Sequence, residues 1–251
     1  MSKKLSLYIT GGYPDIDTFQ NIVLTLSKAG ADILEIGIPY SDPIADGEVI
    51  QNSSLIALNN NITILDIARS IKSIRNNINS EIYFMSYYNP VFVFGENRFI
   101  KLCKESGIDG VIIPDLPYEE GKEFYKNLIT NNIKTTLLVT TVTPMDRIKK
   151  ISKLTTGFLY LVSVLGTTGA RDKLPITLKN ILKNIKNNIN NELFLGFGIK
   201  NPDMVTEFQN YLDGVIVGSA LIELINKNIE KKSLLNKKLR EFVNSFKREL
   251  S

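Results

Sequence analysis

Eight short apolar runs, rich in β-branched and aromatic residues, recur along the whole chain of 251 residues. They are Leu5–Thr10, Ile33–Ile38, Ile82–Tyr87, Gly110–Pro114, Thr135–Thr140, Phe158–Val164, Leu193–Ile199 and Gly214–Gly218. Between them apolar residues fall at helical spacing, as in Ile16, Phe19, Val23 and Leu26, or Ile62, Leu65, Ile67, Ile71 and Ile74. Gly30 and Gly107 stand just before the second and fourth runs, where a helix stops in the left-handed conformation and a short loop leads into a strand. Strands separated by helices cannot pair as hairpins, so the sheet is expected to be parallel. Eight such units in a chain of this length predict a (β/α)8 TIM barrel, with 1–251 as a single domain. No linker or low-complexity stretch divides it. The Lys-rich tail, Ile229 to Leu250, carries Leu235, Leu239, Phe242 and Phe246 at helical spacing. That stripe predicts a last amphipathic helix packed on the barrel rather than a basic partner-binding helix.

Composition removes several kinds of chemistry. There is no His, so the usual general base and every Ser-His or Cys-His nucleophile are excluded. With one Cys, Cys103, and no His, a zinc site is not expected, and an internal disulfide is impossible. Proton transfer must therefore use carboxylates, Tyr or Lys. The net charge of +4 is mild and scattered, which gives no reason to expect nucleic acid. No run approaches the length of a membrane span or a signal peptide, so a cytoplasmic location is expected.

In such barrels the chemistry sits at the C-terminal ends of the strands. Glycine turns follow strands six, seven and eight: Gly166 to Arg171, Gly196 to Gly198, and Gly218-Ser219. Converging amides and a helix N-terminus there predict a phosphate seat. The stretch LEIGIPYSDPIADGEVIQ, Leu34 to Gln51, holds four acids and no base. By strand alternation Glu35 shares a face with Ile33 and Gly37, while Leu34, Ile36 and Ile38 share the apolar face suited to the helix layer. Glu35 should thus point into the barrel mouth. No strand supplies an obvious interior base for it, so its pKa should be raised, as suits a general acid. Asp46 reads equally well as a site carboxylate and as a helix N-cap. Asp42-Pro43 alone reads as a turn.

The same stretch resembles the signature of the tryptophan synthase α subunit family. The resemblance continues in order through YITGGYP, FMSYYNPVF, GVIIPDLPYEE, GFLYLVSVLGTTGAR, LGFGIKNP and DGVIVGSALIEL, covering nearly the whole chain. It implies a retro-aldol lyase that cleaves indole-3-glycerol phosphate to indole and glyceraldehyde 3-phosphate. Glu35 matches the catalytic glutamate that protonates indole carbon three and then takes the glycerol hydroxyl proton. Asp46 matches the aspartate that accepts the indole N–H. Tyr8, Ile50, Tyr87, Tyr160, Thr168 and Phe197 match substrate contacts, with plain core packing as the other reading of Tyr8, Ile50 and Tyr87. Gly169, Gly198, Gly218 and Ser219 match phosphate contacts.

The resemblance further implies a β-subunit partner in an α2β2 heterotetramer, which receives indole through a tunnel. Asp42, Pro43, Asn89 and Pro90 match its contact positions. Pyridoxal phosphate belongs to that partner, and no cofactor or metal is expected in this chain. An alternative is a chain without turnover that only activates the β subunit. Three departures from the family pattern stand out. The short helix that the family pattern places before the first strand, covering the barrel bottom, is not expected here, since Met1 lies about four residues before that strand. Glu48 replaces the usual Pro, and Val164-Leu165 replaces a polar pair.

Overall fold

The computed structural model describes residues 3–163, 177–196, 198–206 and 208–251. Its strands are β1 (Lys4–Thr10), β2 (Ile33–Gly37), β3 (Glu81–Met85), β4 (Gly110–Ile112), β5 (Lys134–Thr136), β6 (Leu138–Thr140), β7 (Phe158–Val162), β8 (Glu192–Gly196) and β9 (Gly214–Val217). All pair in parallel, in the order β5-β4-β3-β2-β1-β9-β8-β7-β6. The two ends of that order, β5 and β6, are halves of one strand broken at Leu137. The first half pairs with β4 and the second with β7. Thr156 and Gly157 donate backbone N–H groups to Thr135, and Tyr160 donates to Leu137, so the sheet closes through this strand. The result is the expected (β/α)8 barrel, with strand five split where it changes partner.

Strand alternation divides the apolar side chains into two layers. Leu5, Leu7, Ile9, Leu34, Ile36, Ile82 and Phe84 face outward and pack under the helices. Ile33, Tyr83, Ile112, Phe158, Tyr160, Phe194 and Ile216 fill the inside. Phe158 and Phe194 stack there with ring centroids 4.2 Å apart. Each strand alternates in this way because its inner and outer neighbours are both apolar, as a parallel barrel requires.

Three aspartates at the ends of αβ loops hold strand starts in register. Asp32 accepts the Leu5 N–H at 2.7 Å, Asp109 that of Ile82 at 2.7 Å, and Asp213 that of Leu193 at 2.7 Å. Each is also paired with a cation from the helix layer: Lys247, Arg75 and Lys186 respectively. The glycine stops preceding Asp32 and Asp109 are left-handed as expected, with φ of 104° at Gly30 and 71° at Gly107.

Several expectations need correction. Two strands place bases at the other rim of the barrel, away from Glu35. Lys4 pairs with Glu192 at 2.7 Å and Lys134 with Glu81 at 2.5 Å, and the Tyr83 hydroxyl donates to Glu81. These groups sit at the N-terminal end of the barrel, opposite the mouth, and are matched to each other. Among the described residues no helix precedes β1. Leu65 lies on the solvent side of helix Ile64–Ile74, because Thr63 and Asp66 form a capping box that fixes its start and Ile67, Ile71 and Ile74 take the buried stripe. Tyr87 does not belong to β3; it caps helix Tyr88–Phe94. The tail forms helix Lys232–Glu249, burying Leu235, Leu239, Val243 and Phe246 against helices Ile16–Ala29 and Ser219–Asn228.

Candidate active site

Tyr8 on β1, Glu35 on β2 and Tyr83 on β3 stand at one level of the barrel, since Tyr8 pairs with Glu35 and Glu35 with Tyr83. The Glu35 side chain is fully buried. One carboxyl oxygen, Oε1, accepts a hydrogen bond from Ser6 Oγ at 2.6 Å, and the other, Oε2, has no partner among the described residues. Burial pushes its pKa up to about 7, and the Ser6 hydroxyl partly opposes this. The carboxyl therefore keeps a large protonated fraction near pH 7, in line with its inward place on the strand and the absence of a matching cation among the described residues.

Asp46 lies beyond the C-terminal end of β2 and is nearly buried, with 9% exposure. Burial pushes its pKa up to about 6, while a hydrogen bond from the Tyr87 hydroxyl holds it down. The same hydroxyl accepts the Ala45 N–H at 2.8 Å. Tyr87 thus pins the acidic loop by its backbone and orients the carboxylate. Asp46 is not a helix cap: helix Glu48–Asn59 begins after Gly47, with no side-chain cap. Glu48 stands in that helix's first turn, where the positive end of the helix dipole favours a carboxylate. This accounts for its charge without a role in catalysis.

Tyr8 and Tyr160 wall the two carboxyls. Burial raises the pKa of both tyrosines, and for Tyr160 the charges of Glu35 and Asp46 add to the rise. Both rings lie over glycines that leave them room. A β-carbon at Gly37 would fall 2.1 Å from the Tyr8 hydroxyl oxygen, and one at Gly196 would fall 2.3 Å from the Tyr160 ring. Gly37→Ala is expected to drive Tyr8 from its place and to cost about 1–3 kcal/mol of stability. A chemical denaturation midpoint equal to the wild-type value would refute this packing account.

Gly218 precedes helix Ser219–Asn228, whose N-terminus has no side-chain cap. A β-carbon at Gly218 would lie 3.4 Å from Tyr8 and 3.7 Å from Ile50, so this turn adjoins the same cavity wall. Gly198 follows β8, the neighbour of β9, in the left-handed conformation with φ 78°. Glu35, Asp46, Tyr8, Tyr87, Tyr160, Ile50, Gly218 and Ser219 therefore gather at the C-terminal end of the barrel. Thr168, Gly169 and Phe197, together with Val164-Leu165, lie outside the described residues. Among the described residues no group of three or more His, Cys, Asp or Glu side chains is placed to hold a metal ion.

The predicted partner contacts form a separate surface. Asp42 is exposed and accepts from Ser41, with Pro43 beside it. Asn89 is exposed and donates to the Tyr40 hydroxyl at 3.3 Å, next to Pro90. Tyr40 in turn packs on Tyr87, with ring centroids 5.4 Å apart. The outer surface and Asp46 thus share Tyr87 as a common support. Asp115 accepts the Tyr88 N–H at 2.8 Å and so fixes the start of helix Tyr88–Phe94. Four large apolar side chains stand exposed at this end of the barrel, Ile44 and Val142 on loops and Phe92 and Val93 on helix Tyr88–Phe94. An apolar residue inside the acidic turn SDPIAD was the available signal for Ile44.

A closed parallel barrel with two desolvated carboxyls and an uncapped helix N-terminus at its mouth defines a barrel enzyme of the acid–base type. A family model described as "Tryptophan synthase alpha chain" matches residues 2–251. Tryptophan synthase alpha chains from Petrotoga mobilis (41% identical, covering 98% of this chain and 95% of that one) and Thermoanaerobacter sp. strain X514 (42%, covering 99% and 94%) are similar over nearly their full lengths. A solved structure of the tryptophan synthase a2b2 complex from Pyrococcus furiosus superposes with a TM-score of 0.89 at 37% identity, covering 98% of this chain and 99% of that one. Tryptophan synthase subunit alpha from Legionella pneumophila superposes equally well, at 0.89 and 32% identity, covering 99% and 92%. The chain belongs to the tryptophan synthase alpha chain family.

Proposed function

We propose that this chain cleaves indole-3-glycerol phosphate to indole and glyceraldehyde 3-phosphate. Carbon three of indole is a poor carbanion leaving group, so it must be protonated before the C–C bond breaks. Glu35 delivers that proton from its neutral carboxyl. Its carboxylate then takes the proton of the glycerol hydroxyl as the bond breaks, which restores the acid. Asp46 accepts the indole N–H and stabilises the positive charge that develops on the ring. Tyr8, Tyr160, Tyr87 and Ile50 line the indole side, and Thr168 and Phe197 are assigned there by family resemblance. Gly218, Ser219, Gly198 and Gly169 offer amides to the phosphate. The observation that carries this reading is Glu35, fully buried, raised to about 7, and facing no cation among the described residues at the mouth.

The product indole is passed to a pyridoxal-phosphate-dependent β subunit in an α2β2 assembly. Asp42, Pro43, Asn89 and Pro90, with the exposed Ile44, Phe92, Val93 and Val142, form the face that meets it. We take 1–251 as one barrel domain working in the cytoplasm, where the lone and buried Cys103 stays reduced. Among the described residues no helix is long and apolar enough to cross a membrane.

The test is indole release from indole-3-glycerol phosphate, with and without a β chain, across pH. The reaction needs Asp46 ionised and Glu35 protonated. Activity should rise as pH climbs through about 6 and fall as it passes about 7, giving a narrow bell with its acid limb from Asp46 and its alkaline limb from Glu35. Activation of the β chain with no indole release at any pH would support the non-catalytic alternative instead.

A further inference from the structure

We propose that Ser6 is a positioning residue for this reaction: its hydroxyl fixes one oxygen of the Glu35 carboxyl and leaves the other to carry the proton that the substrate receives. The inference rests on the acid–base role proposed for Glu35. Ser6 lies on β1 one pleat below Tyr8, on the same inward face, and is fully buried. Its Oγ stands 2.6 Å from Glu35 Oε1, whereas Oε2 has no partner among the described residues. An oxygen that already accepts a short hydrogen bond is the poorer seat for a proton, so the acid proton resides on Oε2. When that proton moves to indole carbon three, the charge left on the carboxylate is met by a donor already in place. When the carboxylate takes the glycerol hydroxyl proton, Oε2 is again the free acceptor. No proton passes through Ser6.

Among the described residues, the side-chain hydrogen bond given to Glu35 comes from Ser6. Tyr8 faces it from β1 and Tyr160 from β7, and burial keeps both phenols neutral. Asp46 faces the same cavity from the loop after β2. On β3 the Tyr83 hydroxyl is turned to Glu81, away from the mouth. Lys4, Lys134 and their glutamate partners are paired at the far end of the barrel. On β4, β8 and β9 the neighbouring inward residues are Ile112, Phe194 and Ile216, which are apolar.

Ser6→Ala removes the donor, and Ser6→Cys keeps the volume with a much weaker one. In both, the alkaline limb of the kcat/KM profile for indole release, measured on the full chain with its β partner, should move up by roughly one pH unit, the size of a single hydrogen bond to an ionised group. Ser6→Thr keeps the hydroxyl and should leave the limb near its wild-type position. The carboxyl stretch of buried Glu35 in the infrared, identified by its loss in Glu35→Gln, should titrate upward by the same amount in Ser6→Ala. An alkaline limb and infrared titration unchanged in Ser6→Ala and Ser6→Cys would overturn the proposal, as would a Ser6→Thr limb displaced as far as the alanine one. The infrared titration needs no turnover. It therefore reads the Ser6 contact even if the lyase reading fails, and that failure would show as full activity in Glu35→Gln.

Discussion

Glu35→Gln should lower kcat for indole release by about 10²–10⁴-fold, the usual worth of a positioned acid or base. It should at the same time make the fold more stable at neutral and higher pH. The opposite signs follow from one cause. Burial raises the Glu35 pKa from 4.5 to about 7. In the unfolded chain the carboxyl ionises near its ordinary value, so between 4.5 and about 7 the folded state holds the extra proton. Stability therefore falls as pH rises through that window and levels off above it. The shift corresponds to roughly 3 kcal/mol of lost stability above the window. Glutamine occupies similar volume without a charge, so the variant should lose this slope and gain a comparable amount at about pH 8, less the strain of seating an amide donor beside Ser6. Urea denaturation of both proteins at two pH values, with indole release measured on the same samples, is the check. A variant that is inactive and also less stable at both pH values would mean that the glutamine disrupts the cavity, and its inactivity would then say nothing about proton transfer.

The barrel is legible in the chain because its strands are short, apolar on both faces and bounded by Gly stops or by Asp. Such runs have no other stable use than a buried parallel sheet. Alternation around Glu35 is enough to place it inside, since Leu34, Ile36 and Ile38 can only face the helix layer. The break at Leu137 is not legible. It arises where one strand must hand its hydrogen bonds from β4 to β7, a closure condition that leaves no local mark. The pairing of Lys4 and Lys134 with glutamates at the far rim is not legible for a related reason: each sits at a strand's first residue, where a sequence cannot say whether the side chain meets a neighbouring strand or turns out to solvent. Asp46 is the clearest case of shared local chemistry. An Asp two residues before a helix serves equally as a cap or as a site carboxylate, and only the Tyr87 hydroxyl, 41 residues away along the chain, decides between them.

That hydroxyl gives the second large prediction. Asp46→Asn should lower kcat by about 10²–10³-fold, the usual loss when one preorganised electrostatic partner of the transition state is removed. KM should change much less, because the charge it meets develops only as the ring is protonated. The acid limb of the pH profile should disappear, since it reports ionisation of the group raised to about 6. Tyr87→Phe tests whether the tyrosine works through Asp46. It removes both the hydrogen bond to the carboxylate and the anchor on the Ala45 N–H. Alone it should cost activity and move the acid limb upward, because the hydrogen bond that holds the Asp46 pKa down is gone. In the Asp46→Asn background it should cost little more, because the charge it orients is already absent. Equal losses in the two backgrounds would instead assign Tyr87 to the indole wall, independent of Asp46. The cycle also bears on the partner surface. Tyr40 packs on the Tyr87 ring and accepts from Asn89, so a β chain bound at Asn89, as proposed, would press on the residue that sets Asp46. Phenylalanine keeps that ring. Stimulation of the residual activity by the β chain should therefore persist in Tyr87→Phe if the ring transmits it, and vanish if the hydroxyl does.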